Sequence, residues 1–168
     1  MCASGGGDKP RAVAAPVLGR GVTRVVDVTT NGVRIAVARA RVALVAERVL
    51  RAERVRNARL SIAFVTDREI ARLNWGHLRH RGPTDVISFR FAAGARNGPI
   101  TGDVYIAPGV ARRNAAVHRT GVREELLRLV VHGVLHVLGH DHPTDDSRIH
   151  SPMWRRQERL LRLALAAA

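Results

Sequence analysis

VREELLRLVVHGVLHVLGHDH, residues 122–142, decides how the rest of the chain is read. Leu126, Leu127, Leu129, Val130, Val131, Val134, Leu135 and Leu138 cover most of the circumference of a helix, so this helix belongs at the centre of a core. Two histidines inside such a helix cost several kcal/mol if they go unpartnered. His132 and His136 lie four apart and share one face, where both imidazoles can reach one ion. Gly139 ends a helix without steric cost, and the turn it permits returns His142 to the same point. Three imidazole nitrogens with a fourth position open describe a catalytic zinc; the alternative is a purely structural histidine cluster. Zinc peptidases carry a Glu general base directly after the first histidine, and Gly133 stands there instead. Glu125 and Arg128 fall on the same stripe as the histidines, as support for them or as a surface pair.

Working outward, Thr23–Thr29 and 33–37 read as strands joined by Asn31-Gly32, a hairpin signal. Val42, Val45, Val49 and Leu50 then recur at helical spacing within 38–55. Leu60–Val65 reads as a strand, and Thr66 with Glu69 forms a capping box for a helix to about Trp75. Strands at Val86–Phe91 and Val104–Ile106 flank a loop at 92–101. Pro108 opens a helix to about His118, and Ser151 with Pro152 starts a last one to about Ala167. The expected fold is α+β: a small mixed β-sheet with surrounding helices and a central apolar helix carrying the histidines. Residues 1–20, rich in Gly, Ala and Pro, read as a disordered tail before a single domain at 21–168.

With 28 basic against 14 acidic residues the chain carries +14, which favours a polyanionic partner such as nucleic acid. Lys9 is the one lysine, and an arginine skew of that kind can also follow from base composition. The single cysteine, Cys2, excludes an internal disulfide and fits a reducing compartment. No apolar stretch approaches the ~20 residues of a membrane span, and residues 1–10 lack the apolar centre of a signal peptide, so a cytoplasmic location is expected.

The run His132–His142 follows the pattern His-Gly-x-Leu-His-x-x-Gly-(Tyr/His)-Asp-His. Leu73-Asn74 followed by Pro83-Thr84-Asp85-Val86-Ile87-Ser88-Phe89, and then Gly102-Asp103-Val104, complete a set of blocks in fixed order across about residues 58–158. Met153 and the helix after it agree as well. In these features the chain resembles the YbeY family of bacterial endoribonucleases. The resemblance implies a zinc-dependent, single-strand-specific endoribonuclease that matures ribosomal RNA, notably the 3′ end of the small-subunit RNA, and serves ribosome quality control. It implies one zinc held by His132, His136 and His142, with RNA and the ribosome or its small subunit as partners; neither DNA nor a membrane is expected. Many family members have Arg four residues after the Leu-Asn asparagine, where this chain has Leu78. Others carry Leu with a nearby His, which His80 matches; the arginine's role passes to Arg79 or is absent.

Two chemical routes stay open: attack on phosphorus by a metal-activated water, or attack by the ribose 2′-hydroxyl. Candidate acid–base groups are Asp85, Asp103, His140 and Asp141. His140 titrates in the right range, Asp141 is as suited to capping the turn, and Asp103 reads as a strand-edge residue. Arg79, Arg81 and Arg90 could meet the RNA backbone, and Trp75 or Phe89 an unstacked base. The rival readings are a non-catalytic, zinc-containing ribosome assembly factor and a zinc peptidase.

Overall fold

The computed structural model describes residues 21–91, 98–143 and 145–166. The expected tail at 1–20 lies outside the described residues, as does most of the loop expected at 92–101. Among the described residues the chain runs β1 (Thr23–Thr30), α1 (Arg39–Ala52), β2 (Asn57–Phe64), α2 (Asp67–Leu73), a π-helical turn (Asn74–Leu78), β3 (Val86–Phe91), β4 (Ile100–Ile106), α3 (Pro108–His118), α4 (Val122–Val137), a 3₁₀ turn (Asp146–His150) and α5 (Pro152–Ala166). The sheet order is β1-β2-β4-β3; β1/β2 and β2/β4 are parallel, and β3 runs antiparallel along β4. This is the α+β fold with a small mixed sheet that the residue pattern implies.

The hairpin is not formed. β1 pairs with β2 across the helical crossover α1, from Thr23↔Asn57 to Thr30↔Phe64. The ladder continues one residue further, where Asn31 N–H donates to Phe64 O at 2.8 Å. Gly32, at φ +64°, then turns the chain out of the sheet. Residues 33–37 owe their apolar alternation to packing rather than pairing: Val33 and Ile35 lean on the main core and Val37 is buried. A parallel pair needs a connection long enough for a helix, and 39–52 supplies it.

Thr66 and Glu69 form the expected capping box, and the Thr66 N–H holds the Glu69 carboxylate below its ordinary pKa. The helix stops at Leu73 and gives way to the π-helical turn rather than running on to Trp75. β4 begins at Ile100, four residues before the expected start. Gly102 makes that stretch look like loop, yet it is a strand position pressed by α4: a Cβ there would sit 2.5 Å from both Phe89 O and Val137 Cγ1. Asp103 is not at the sheet edge either, because β4 is interior; its carboxylate accepts the Tyr105 hydroxyl at 3.2 Å.

One face of the sheet carries α1 and α4. Val42, Val45 and Leu50 of α1, Leu60 and Ile62 of β2, and Val104 of β4 meet Val130, Val134 and Leu135 of α4 with no solvent exposure beyond 1%. The closest approach of α4 to the sheet is at Gly133, where a Cβ would stand 2.4 Å from Val104 Cγ1 and 3.1 Å from Ser88 Oγ. This seat against β3 and β4 turns the histidine stripe away from the sheet. The opposite face has its own smaller core of Ala63, Val65, Ile70, Ile87 and Ala107.

Candidate metal centre

The end of α4 builds the centre. Gly139 N–H donates to His136 O at 2.9 Å and His140 N–H to Leu135 O at 3.0 Å, the paired bonds of a Schellman motif. Gly139 adopts φ +94°, and Arg90 reaches from β3 to donate to Leu138 O at 3.3 Å. Arg90 is thus engaged in closing the helix. Asp141 Oδ1 accepts the N–H of His142 at 2.8 Å, which fixes the turn bringing His142 back over α4.

The three Nε2 atoms form a nearly equilateral triangle: 3.0 Å between His136 and His132, 3.3 Å between His136 and His142, and 3.4 Å between His142 and His132. A tetrahedral zinc with Zn–N distances of about 2.0–2.1 Å needs nitrogens roughly 3.3–3.4 Å apart, so the triangle has the size for it.

Proton accounting gives the same answer. His142 Nδ1 faces Pro143 O at 2.7 Å, and a carbonyl only accepts, so the proton sits on Nδ1. His132 Nδ1 faces Gln157 Oε1 at 2.7 Å. The Gln157 amide is oriented by its own Nε2, which donates to Glu158 Oε1 at 3.0 Å, so His132 too is protonated on Nδ1. Both histidines therefore aim bare Nε2 lone pairs at the shared point. His136 Nε2 has at most one proton for two acceptors, which leaves a lone pair opposed to another. A cation at that point resolves the conflict, and these three residues could hold a metal ion.

At His132 and His136 protonation does not compete with that role near neutral pH. Burial, followed by the neighbouring His132 and His142, pushes His136 down to about 4. Burial likewise lowers His132, more than the Gln157 bond raises it. Metal ligation needs the neutral imidazole, and the fold supplies it.

Gln157, 1% exposed on α5, is the functional residue that the sequence pattern does not reveal. It ends a chain of contacts: Arg128 donates to Glu124, Glu125 and Glu158 at 2.8, 2.6 and 3.0 Å, and Glu158 in turn accepts from Gln157. Glu125 and Arg128 therefore sit behind the centre and reach it only through α5. The one available signal is the four-residue step from the buried Met153, which sets Gln157 a turn further along the same helix face.

The remaining candidates are dispersed. His140 turns away from the triangle, its Nε2 3.1 Å from Glu53 Oε2 and 3.3 Å from Arg156 Nη1. Asp141 is largely exposed, with Oδ1 3.9 Å from His136 Nδ1. Asp85 is occupied structurally, accepting from Val86 N–H and from Asn114 at 2.9 and 3.1 Å. Arg79 and Arg81 sit at the end of the π-helical turn, 5.9 and 5.7 Å from the Trp75 ring centre. Phe89 is edge-on to His77 and Tyr105. A cavity of about 330 Å³ lies elsewhere, between α2 and β4, lined in part by Glu69, Arg72, His77 and Tyr105. A second of about 250 Å³ lies where α2 meets the start of α3; the histidines line neither. No helix among the described residues is long and apolar enough to cross a membrane.

The family profile described as Endoribonuclease YbeY matches residues 27–164. Curated proteins described as Endoribonuclease YbeY are similar to this chain. One from Chloroherpeton thalassium is 40% identical over 93 residues, 55% of this chain and 64% of its own. One from Syntrophus aciditrophicus is 32% identical over 117 residues, 68% and 73% of the two chains. One from Aquifex aeolicus is 39% identical over 97 residues, 58% and 65%. The chain thus spans roughly two thirds of the length of these relatives, slightly less in the first and third. A solution structure of a Thermotoga maritima protein superposes with a TM-score of 0.57 at 22% identity, covering 85% of this chain and 91% of that one, a likeness of fold.

Proposed function

This chain belongs to the YbeY endoribonuclease family, and from that premise we propose that it is a zinc-dependent, single-strand-specific endoribonuclease. Its substrate is ribosomal RNA, with the 3′ end of the small-subunit RNA as the site of maturation and the ribosome or its small subunit as partner, in the cytoplasm. Ribosome quality control is the second role of the same activity.

The observation that carries the reading is the donor set: three Nε2 atoms within 3.4 Å of one another, two of them bare because Gln157 and Pro143 take the opposite protons. His132, His136 and His142 would hold the metal. Imidazole donors also suit nickel and cobalt, and zinc is the choice for a three-nitrogen site with an open position. When bound, the ion supplies Lewis acidity to a phosphodiester oxygen or to the attacking hydroxyl.

The chain's own residues do the rest. Gln157 and Pro143 O hold two imidazoles in the ligating tautomer. Glu53 and Arg156 hold His140, and Asp141 caps the turn, so the two residues between Gly139 and His142 position the third imidazole rather than move protons. Arg79 meets the phosphate backbone. The peptidase alternative lacks its base for a steric reason: position 133 lies against Val104, where even a Cβ meets a methyl at 2.4 Å.

The test is cleavage of an unstructured RNA by the purified protein beside His136→Ala prepared identically, since a contaminating nuclease would appear in both. Cleavage by the parent alone supports the reading, and a 2′,3′-cyclic phosphate at the product ends would identify 2′-hydroxyl attack. Equal cleavage by both, or by neither, overturns it in favour of a non-catalytic assembly factor.

A further inference from the structure

Trp75 is 47% exposed, the only tryptophan that is, and it stands on the π-helical turn between α2 and β3. A large indole left half in water where the core is built from aliphatic residues is a feature that folding does not require. The turn itself is well anchored: Asn74, 6% exposed, donates to Gly82 O at 2.9 Å, and Arg79 N–H donates to Trp75 O at 3.2 Å. Arg79 closes the turn at φ +57°, a conformation that costs an L residue and that glycine would adopt freely. π-Helical turns and strained residues of this kind concentrate at functional sites.

The surroundings point to one ligand chemistry. The guanidinium groups of Arg79 and Arg81 lie over the Trp75 ring at 5.9 and 5.7 Å, near the outer limit for a cation–π contact. Neither arginine has a carboxylate partner among the described residues. No acidic residue occurs between Glu69 and Asp85, while Arg72, His77, Arg79, His80 and Arg81 do. A half-exposed indole with guanidinium groups beside it that no carboxylate pairs among the described residues is the combination that binds a single-stranded nucleic acid, base on ring and phosphate on cation. Phe89, the other aromatic in this region, already has its edges taken by His77 and Tyr105.

Placement agrees: Asp85, at the entry to β3, is among the charged groups close enough to act on His132. Four residues of chain bound the separation of Arg81 from Asp85 at about 14 Å.

We propose that Trp75, with Arg79 and Arg81 against its ring, is a stacking platform for an unpaired base of the RNA strand that the histidine centre cuts. The platform rests on the endoribonuclease reading and extends it by naming what selects an unpaired strand: a duplex offers no free base face. Trp75 and its arginines are binding residues here, and they leave the metal centre untouched.

The experiment uses the full chain carrying Trp154→Phe, so that Trp75 is the one fluorophore of its kind. An unstructured 12-nucleotide RNA, 2′-O-methylated to block 2′-hydroxyl attack and verified intact on a gel after each titration, is titrated while indole fluorescence and RNA anisotropy are followed together. The platform requires saturable quenching that tracks anisotropy, and affinity about 10- to 100-fold weaker in Trp75→Ala, largely restored in Trp75→Phe. Replacing both arginines by alanine should flatten the dependence of log Kd on log salt by about one to two units. Zinc content of each variant, measured alongside, separates this from damage to the centre. If the parent binds RNA without quenching its indole and Trp75→Ala binds equally well by anisotropy, the platform is wrong and the patch suits another partner, such as an acidic protein surface, while the nuclease reading stands. If the parent neither binds nor cuts RNA, both fall.

Discussion

Two basic regions of this molecule are built on opposite principles. At the histidine centre nearly every group is fixed from behind: His132 by Gln157, His142 by Pro143 O, the turn between them by Gly139, Asp141 and Arg90, and the helix by its seat on β4. At the turn that carries Trp75, Arg79 and Arg81 the backbone is anchored but these three side chains are left exposed, with both charges lacking a carboxylate partner among the described residues and Arg79 at a strained backbone angle. A metal site gains from rigidity because its donors must converge before the ion arrives. A surface that receives a flexible strand gains from unpaid charge and open aromatic area, which contribute nothing to the folded chain alone.

The contrast is broken most severely at Gly133. Glutamate there would install a peptidase-like base in sequence, but the position faces Val104 and Ser88, so Gly133→Glu is expected to yield no folded protein and no peptidase activity. Gly133→Ala should already destabilise by about 2–3 kcal/mol, readable as a lowered urea midpoint. A smaller break leaves the fold intact: Gln157→Leu removes the acceptor that holds His132 in its ligating tautomer and should weaken zinc binding about 10- to 100-fold by competition with a chromophoric chelator.

pH sharpens the same point. His136 titrates at about 4 in the fold against an ordinary value near 6.5, so the unfolded chain takes up the proton first. Metal-free protein should therefore lose stability as pH falls from about 6.5 toward 4, by about 2 kcal/mol between pH 7 and pH 5. His132, lowered in the same direction, adds to the slope, and His136→Ala should flatten it. The smallest effect belongs to the other region. Arg79→Gly relieves the strained angle, so stability should be unchanged or rise by up to about 1 kcal/mol while RNA affinity drops. A stability loss there instead would show that Arg79 is a structural residue.

What could be read from the residues alone follows the range of the interactions. The histidine triangle was legible because all its determinants fall within eleven residues: a four-residue helical step, a helix-ending glycine and a return. The capping box at Thr66 and Glu69 was legible for the same reason. The hairpin at Asn31-Gly32 was misread because β1 finds its partner in β2, beyond α1, and a local turn signal says nothing of a parallel pairing. Gln157 lies 25 residues from His132 and belongs to another helix, so only packing brings them together. The roles of Gly102 and Gly133 were likewise hidden: the pattern contains both, but the pressure of Val137 and Val104 that forbids a side chain belongs to the tertiary structure.

The central claim is that one metal ion on His132, His136 and His142 organises this site for RNA cleavage. Its most direct measurement is a zinc titration of chelator-treated protein, following thermal stability and cleavage of an unstructured RNA in the same samples. The account predicts that both rise together and saturate at one equivalent, and that His136→Ala gains neither. Cleavage that survives chelation, or that appears without any bound zinc, would contradict it.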